Sequence, residues 1–273
     1  MTDDGRISSS WLALREVADA TARAPDLVER LASHVPATEC LVIHDLGGGT
    51  GSMGRWLAPQ LAGAQHWVVH DRDTELLELA LAHPPGAAAD GSAVTVETRS
   101  SDIARLQPAD LAGAALVTAS ALLDLLTGEE LAALVAVCAS AACPVLLTLS
   151  VVGRVDLTPA DPLDARIAAA FNDHQRRATD RGRLLGPDAV AVATEAFGAY
   201  GSEVLVRPSP WRLGACEAPL TAEWLTGWVG AAGEQDPGLA AALGPYADRR
   251  GTQAAAGRLA VTVGHADLLV LPA

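Results

Sequence analysis

Between residues 40 and 150, short apolar runs alternate with stretches of helical periodicity, and this alternation restricts the possible folds more than any other feature of the chain. The apolar runs have the length of buried strands and lie at 40–46, 66–71, 93–98, 114–120 and 144–150. Strands that alternate with helices form βαβ units, whose parallel sheet is covered by helices on both faces. We therefore predict an α/β fold with a doubly wound, mostly parallel sheet.

After residue 151 the alternation becomes irregular, and two helical stretches interrupt the predicted core. The first includes a helix near 162–178, and core strands resume at 202–208 and in the final segment, which bends at Gly264. We divide the chain into an N-terminal helical lid, a core in three parts and two insertions that build a cap and the acceptor pocket. The bounds are 1–38 for the lid, 39–151, 186–210 and 258–273 for the core, and 152–185 and 211–257 for the insertions.

The chain has 273 residues and a formal net charge of −14, and all 19 of its basic residues are arginine. Nucleic-acid binding relies on basic side chains that neutralise phosphates, so this balance argues against nucleic acid or an anionic membrane as a partner. A small molecule is favoured, and the oligomeric state stays open. The cysteines include no CxxC pair, so we expect reduced thiols, with Cys40 and Cys138 buried, in a cytoplasmic protein. An uncharged run at 131–153 is divided by Pro144, which favours a buried helix and a buried strand over a membrane span.

A glycine-rich loop, GGGTG at 47–51, follows the first predicted strand and precedes a helix. A Walker A loop requires a lysine on the phosphates, and this chain has no lysine, so that route to ATP or GTP hydrolysis is excluded. Gly49, Gly51 and Gly54 match the G-x-G-x-x-G pattern of dinucleotide-binding loops, and Asp71 follows at nearly the spacing of a ribose-binding acid. An NAD(P)-dependent oxidoreductase is therefore one alternative.

Asp45 favours a different ligand, because a carboxylate two residues before the glycines would repel a pyrophosphate and attract a cationic amino group. The same loop also reads D-x-G-x-G-x-G from Asp45 to Gly51. The stretch TASALLDLL at 118–126 offers neither a Tyr-x-x-x-Lys pair nor a catalytic histidine for hydride transfer. Polar residues end the other predicted strands, at the sheet edge where α/β folds bind ligands: Asp71, Ser101, Asp102 and Ser120.

Residues 40–150 resemble the class I S-adenosylmethionine-dependent methyltransferases. Four stretches are similar to the first four motifs of that family, in order: VIHDLGGGTGSMGRWLA, VVHDRDTELLELA, VTVETRSSDIARL and ALVTASALLDLL. The resemblance implies a Rossmann-like, seven-stranded sheet with an antiparallel last strand, S-adenosylmethionine as methyl donor, S-adenosylhomocysteine as product and a small-molecule acceptor. The chain departs from the family at Ala115, where an acid is frequent, and lacks the Asn-Pro-Pro-aromatic signature used on base and amide nitrogens.

The resemblance also implies roles for individual residues. Asp45 would face the methionine amino group, and Asp71 would accept hydrogen bonds from both ribose hydroxyls. Bare backbone at the glycines would let the cofactor lie close. Arg72 would lie along the adenine, Asp102 and Ile103 would meet its amino group, and Ser120 and Ala121 would contribute at the methionine end. The implied cofactor residues are Asp45, Gly47, Gly48, Gly49, Thr50, Gly51, Asp71, Arg72, Ser101, Asp102, Ile103, Ser120 and Ala121.

Acceptor residues are harder to predict, because methyl transfer is an in-line displacement in which the enzyme mainly orients the acceptor and excludes water. Asp124, four residues after Ser120, and His174, on an apolar helix stripe, are the candidate catalytic residues; a solvated acid and a core histidine are the alternatives. The candidates for acceptor binding are Arg15, Arg154 and Trp211. The alternatives are surface ion pairing for Arg15 and an ordinary surface arginine for Arg154. No metal site is predicted, since the acids at 156–164 are typical of a helix start. A relative that binds the cofactor without turnover is the non-enzymatic alternative.

Overall fold

The computed structural model describes residues 7–35 and 38–273. Residues 1–6, 36 and 37 of the predicted lid lie outside the described part of the chain. The strands are β1 (Leu41–Leu46), β2 (Gln65–Asp71), β3 (Val94–Ser100), β4 (Leu116–Ser120), β5 (Val145–Thr158), β6 (Ala178–Thr179), β7 (Gly182–Arg183), β8 (Glu203–Pro208), β9 (Trp211–Leu213) and β10 (Ala260–Leu271). The helices are α1 (Ser9–Ala22), α2 (Pro25–Ala32), α3 (Ser52–Leu57), α4 (Thr74–Ala82), α5 (Gly128–Ser140), α6 (Asp164–Gln175), α7 (Ala189–Gly198), α8 (Ala218–Gln235) and α9 (Ala240–Ala255).

The central sheet has the strand order β3-β2-β1-β4-β5-β10-β8, and the first five strands run parallel. β10 is antiparallel to both β5 and β8. The predicted doubly wound, mostly parallel sheet with an antiparallel last strand is therefore confirmed. The short β9, which pairs with β10 beside β8, is an eighth strand that the sequence did not predict. The strand order reverses between β1 and β4, which is where such sheets open a crevice for ligands.

Helices cover both faces of the sheet, because each has an apolar stripe that must be buried. On one face α5 and α7 pack against each other and against the sheet through residues such as Leu131, Val135 and Phe197. On the other face α2 and α3 pack against β1 and β2 around the buried Trp67. The start of α5 is defined locally, since Thr127 and Glu130 form a reciprocal capping box.

The cap is built by α6, α8 and α9, which pack against one another and against the far half of β5. Trp224 and Trp228 of α8 stack with ring centroids 5.1 Å apart, and Tyr246 of α9 lies beside Trp228. A guanidinium nitrogen of Arg250 lies 2.6 Å from the carboxylate of Asp164, which joins α9 to α6. β5 continues to Thr158, so the helical insertion predicted at 152–185 begins as strand.

Two further expectations are corrected or refined by the structure. β10 is one continuous strand, and its register with β5 shifts between Val263 and His265, at the position of the predicted bend at Gly264. Cys138 is buried as expected, but Cys40 is exposed because it precedes β1 instead of lying within it. Among the described helices, none combines the length and apolar character that crossing a membrane requires.

Candidate functional site

A cleft of about 620 Å³ opens at the carboxyl ends of β1, β2, β3 and β4. Its walls are formed by the glycine loop after β1, the segments after β2, β3 and β4, the helix α1, and the hairpin made by β6 and β7. These segments are far apart in sequence, but the ends of parallel strands meet at one edge of the sheet. All of the implied cofactor residues line this cleft except Gly51.

The glycine loop requires bare backbone for two different reasons. Gly47 and Gly49 have φ angles of +62° and +52°, in the left-handed region that other residues rarely adopt. Gly48 is limited by space, since an added Cβ would lie 2.5 Å from an oxygen of Asp45 and 2.7 Å from Val69. Gly51 is the N-cap of α3, and a Cβ added there would meet Ala80 of α4. Its position therefore differs from that of the other predicted glycines, which line the cleft.

Asp45 is completely buried at the end of β1, yet its side chain reaches the cleft wall. One carboxylate oxygen, Oδ1, accepts a hydrogen bond of 2.8 Å from the hydroxyl of Thr118. The other, Oδ2, has no hydrogen-bond partner in the described part of the molecule. Burial raises the pKa of Asp45 to about 7, although Thr118 and the guanidinium of Arg23 both act to lower that pKa. A buried acceptor without a donor is costly, so Oδ2 is suited to a ligand that donates a hydrogen bond.

Asp71 ends β2 and is tied to the glycine loop. Its Oδ2 accepts from the backbone N–H of Gly49 at 2.9 Å, and its Oδ1 accepts from the backbone N–H of Asp73 at 2.9 Å. Each carboxylate oxygen has further lone pairs, so the group retains acceptor capacity toward the cleft. The carboxylate of Asp71 is thereby held in one orientation beside the loop.

The segments after β2 and β3 form the more open end of the cleft. Arg72 is exposed there, and Asp102 accepts from the backbone N–H of Ala104 at 3.1 Å. Ser101 continues into a buried chain that the sequence did not predict: its hydroxyl lies 3.1 Å from Nδ1 of His70, whose Nε2 lies 2.9 Å from Nδ1 of His44. Burial lowers the pKa of both histidines to about 4, so they are neutral at pH 7.

Ser120 and Ala121 end β4 at the deeper end of the cleft. The Ser120 hydroxyl lies 3.0 Å from the hydroxyl of Thr148 and 3.0 Å from a guanidinium nitrogen of Arg23, which donates to it. Ala121 has a φ of +52°, a left-handed conformation that is rare for alanine. Strained backbone of this kind is held by its surroundings and is concentrated at functional sites.

Helix α1 lies over the cleft with its charged face turned inward, which the sequence left open. Arg15, Asp19 and Arg23 recur every fourth residue, and all three are wholly or largely buried, whereas Val17 is 77% exposed. Arg15 donates to Asp19 at 2.8 Å. The inward orientation is favoured because β5 and β9 supply polar partners for this stripe.

Those partners come from distant parts of the chain. The indole N–H of Trp211 donates to Asp19 at 2.9 Å, and the guanidinium of Arg15 lies 4.8 Å from the centre of a Trp211 ring. Arg23 donates to Thr148 at 3.3 Å, and burial lowers its pKa. Asp19 and Arg23 are site residues that the sequence reasoning missed, although their spacing from Arg15 was visible.

The predicted acceptor residues occupy different positions. Arg15 lines the cleft, and Trp211 lies buried behind Asp19 without lining it. Asp124 is half-buried and is not part of the cleft wall; burial raises its pKa to about 6. His174 belongs to α6 and faces α8, with its Nδ1 3.8 Å from the carboxylate of Glu234. The side chain of Arg154 is 76% exposed and pairs with Asp156 on β5. The expectation that His174 and Arg154 face the cleft is therefore corrected: neither lines it, because Arg154 lies on the outer half of β5 and His174 on α6, which packs against β5.

The two predicted insertions also differ in what they contribute. The first lines the cleft through the hairpin of β6 and β7 and its neighbours, at residues 177–184. The second, which contains α8 and α9, packs against α6 and does not reach the cleft wall. Of the two insertions, the first contributes residues to the wall of this cleft. Within the described ranges, no group of three side chains is arranged to hold a metal ion.

Comparison with known proteins gives structural likeness without close sequence relationship. No family model matches the chain, and no curated protein matches it. Many solved structures do match. YcgJ from Bacillus subtilis is 11% identical, with 92% of this chain and 100% of that chain covered and a TM-score of 0.49. A SAM-dependent methyltransferase from Thiobacillus denitrificans, in complex with S-adenosyl-L-homocysteine, is 13% identical, with 98% of this chain and 99% of that chain covered and a TM-score of 0.46. The cyclopropane synthase MmaA2 from Mycobacterium tuberculosis is 12% identical, with 97% of this chain and 94% of that chain covered and a TM-score of 0.48.

Proposed function

We propose that this protein is an S-adenosylmethionine-dependent methyltransferase that acts on a small-molecule acceptor. The observation that carries the proposal is the pair of acids on either side of bare backbone in one cleft. Asp45 presents a buried, unpartnered oxygen, and Asp71 presents a carboxylate held beside Gly49. A ligand with a cationic amino group and a pair of neighbouring hydroxyls suits these two acids.

The fit extends along the cleft in the order that such a cofactor needs. Asp45 and the backbone at Gly47 to Gly49 would hold the methionine end, with Ser120 and Ala121 beside it. Asp71 would accept from the ribose hydroxyls, and the segment with Arg72, Asp102 and Ile103 would hold the adenine. When bound, the cofactor supplies a methyl group on a sulfonium, which an acceptor nucleophile displaces in line.

A dinucleotide fits the same cleft less well, for an electrostatic reason. The Gly49 N–H, one of the loop amides that would bind a pyrophosphate, already donates to the carboxylate of Asp71. A pyrophosphate there would lie between the carboxylates of Asp45 and Asp71, and like charges a few ångströms apart repel strongly in a partly buried site. This repulsion disfavours the NAD(P)-dependent alternative despite the G-x-G-x-x-G spacing.

The chain's own contribution to methyl transfer is to orient the acceptor and to exclude water. Helix α1 serves the second purpose, since Leu12 packs against the glycine loop near Gly49. Glu16 reinforces this position through two hydrogen bonds of 2.7 Å from Arg55 of α3. A general base is needed only for an acceptor that must lose its proton early. The cleft volume is in the range of small-molecule sites.

Ligand binding measured by calorimetry and by thermal unfolding tests the cofactor assignment. S-adenosylmethionine and S-adenosylhomocysteine should bind, and a ligand at ~100 times its dissociation constant should stabilise the protein by about 2.7 kcal/mol. Asp71→Ala should abolish this stabilisation, whereas Glu78→Gln, on the exposed face of α4, should leave it unchanged. Stabilisation by NAD or NADP alone would mean that the glycine loop serves a dinucleotide.

Turnover separates an enzyme from a protein that only binds the cofactor. Formation of S-adenosylhomocysteine should be followed with panels of oxygen, nitrogen and carbon acceptors. Acceptor-dependent product that is lost in Asp71→Ala supports the enzyme. Tight cofactor binding with no product across the panels would favour the non-catalytic alternative.

A further inference from the structure

Acidic and basic side chains both line the cleft. The acids Asp45, Asp71 and Asp102 lie along the glycine loop and the ends of β2 and β3. The hairpin of β6 and β7 and its flanking residues contribute Arg177 and Arg181. The charged side chains that this segment contributes to the cleft wall are therefore both basic, although the chain has a net charge of −14.

The arginine wall is continuous with the methionine end of the proposed cofactor site. Leu122 is in contact with Gly47, since its Cδ1 lies 3.1 Å from where a Gly47 Cβ would be. The following segment is joined to the hairpin by a hydrogen bond of 2.8 Å from Leu185 N–H to the carbonyl of Leu126, and by a bridge between Thr127 and Leu184. The cleft-lining residues of 121–126 and 177–184 therefore form one wall, beside the point where the methyl group would be presented.

The two arginines on this wall have different partners. Arg181 donates to Glu130 at 2.7 Å, so its charge is largely offset. Arg177 is half-buried and donates one hydrogen bond, of 3.2 Å, to the carbonyl of His174. Across the described ranges it makes no ion pair with a carboxylate. A guanidinium has five N–H donors in a planar fork, so Arg177 retains the geometry that matches a carboxylate or a phosphate.

The rest of the wall is aliphatic. Leu122, Leu125, Leu126 and Leu184 line the cleft between Ala121 and the arginines. Such a surface favours an apolar body of similar size, and the guanidinium of Arg177 favours a negative group at its end. An amine at the same position would be repelled by Arg177.

We propose that the cleft-lining residues of 121–126 and 177–184, which exclude Asp124 and Arg183, form the acceptor subsite. This subsite selects an acceptor with an aliphatic body and a carboxylate or phosphate group held by Arg177. Arg177 is thus a specificity-determining residue. This inference rests on the proposed function, because it identifies the wall by its position beside the cofactor's methionine end.

The experiment uses the whole chain saturated with S-adenosylhomocysteine and four probes of equal chain length. Hexanoate and hexyl phosphate carry the anion, hexanamide is the neutral control and hexylammonium is the cationic control. Dissociation constants are measured by ligand-observed NMR titration on the wild type, on Arg177→Ala and on Arg183→Ala. Arg183 lies on the same hairpin but is exposed and outside the cleft wall, so its variant is a matched control for loss of positive charge.

The wild type should bind at least one of the two anions about tenfold or more tightly than hexanamide, with hexylammonium weakest. Arg177→Ala should bring that ratio close to one, whereas Arg183→Ala should retain it. Whichever of hexanoate and hexyl phosphate binds more tightly identifies the anion. Affinity for S-adenosylhomocysteine should be the same in all three proteins.

Three results would overturn the inference. The first is equal affinity of the wild type for the anions and hexanamide, or no binding of any probe. The second is an equal loss in Arg183→Ala, which would reduce the effect to overall charge. The third is weaker binding of S-adenosylhomocysteine to Arg177→Ala, which would assign Arg177 to the cofactor carboxylate. Failure of the wild type to bind S-adenosylhomocysteine would instead overturn the proposed function itself.

Discussion

Replacing Asp45 by asparagine should change how the stability of the free protein depends on pH. Asp45 is fully buried with one neutral donor, and burial raises its pKa from 3.8 to about 7. The folded protein therefore holds the Asp45 proton more tightly than the unfolded chain does. The stabilisation that comes from this proton is complete below pH 3.8 and is lost as the pH rises through 7.

The size of the effect follows from the pKa. Each pKa unit corresponds to ~1.4 kcal/mol, so ionised Asp45 should cost the folded state about 4 kcal/mol at pH 8 and above. Between pH 5 and pH 8 the wild type should lose about 2–3 kcal/mol of unfolding free energy through this group. Asparagine does not titrate, so Asp45→Asn should lack that loss. Its buried amide group has no partner for its N–H donors in the free protein, which offsets the gain by about 1–3 kcal/mol at every pH.

Urea unfolding of both proteins at pH 5, 6, 7 and 8, without ligand, measures the difference. Other titrating groups, including the buried histidines, are common to the two proteins and cancel in the comparison. The variant should gain about 2–3 kcal/mol relative to the wild type across this range. Glu78→Gln is the control and should run parallel to the wild type. Parallel curves for Asp45→Asn would refute the reasoning, because they would mean that Asp45 is ionised at pH 5.

The same pKa predicts that cofactor affinity rises with pH, whereas the stability of the free protein falls. If the ionised carboxylate holds the amino group, the affinity of the wild type for S-adenosylhomocysteine should rise about tenfold from pH 6 to pH 8. Asp45→Asn should bind more weakly at pH 8, and its affinity should depend less on pH. Calorimetry in buffers of different ionisation enthalpy should detect proton release with the wild type at pH 6.

Two structural predictions concern space and buried charge. Gly48→Ala should abolish cofactor binding measured by calorimetry, because the added carbon would lie 2.5 Å from the Asp45 carboxylate and must displace that carboxylate or the loop. The control Gly86→Ala, whose added carbon meets no atom within 4 Å, should bind the cofactor normally. Asp164→Ala should lower the free energy of unfolding by about 3–5 kcal/mol, since it leaves the 1% exposed side chain of Arg250 without its carboxylate.

Asp156→Ala is the matched control for the second of these changes, because Asp156 makes an ion pair with the exposed Arg154. Exposed ion pairs contribute about 0–1 kcal/mol, so its unfolding curve in urea should stay close to that of the wild type. A loss in Asp164→Ala no larger than in Asp156→Ala would show that the pair between α6 and α9 does not hold the cap together.

The sequence by itself determined the parallel core and the edge where the site lies. Strand positions were predictable because burial and periodicity are local properties of each segment. The sequence also predicted that four polar residues lie together, because the carboxyl ends of parallel strands meet at one edge of the sheet. These residues are Asp45, Asp71, Asp102 and Ser120. Glycine runs at such an edge have few explanations, so the loop could be interpreted without knowledge of its neighbours.

Only the tertiary structure decided what faces that edge from elsewhere. The stripe of Arg15, Asp19 and Arg23 has the same sequence pattern whether it is solvated or buried, and it is buried because Trp211 and Thr148, more than 100 positions away, supply its partners. Arg177 reaches the cleft because a hairpin packs on the segment after β4, whereas His174, three residues earlier, turns toward α8. Such contacts depend on how distant elements pack, and a periodicity within one element contains no information about them.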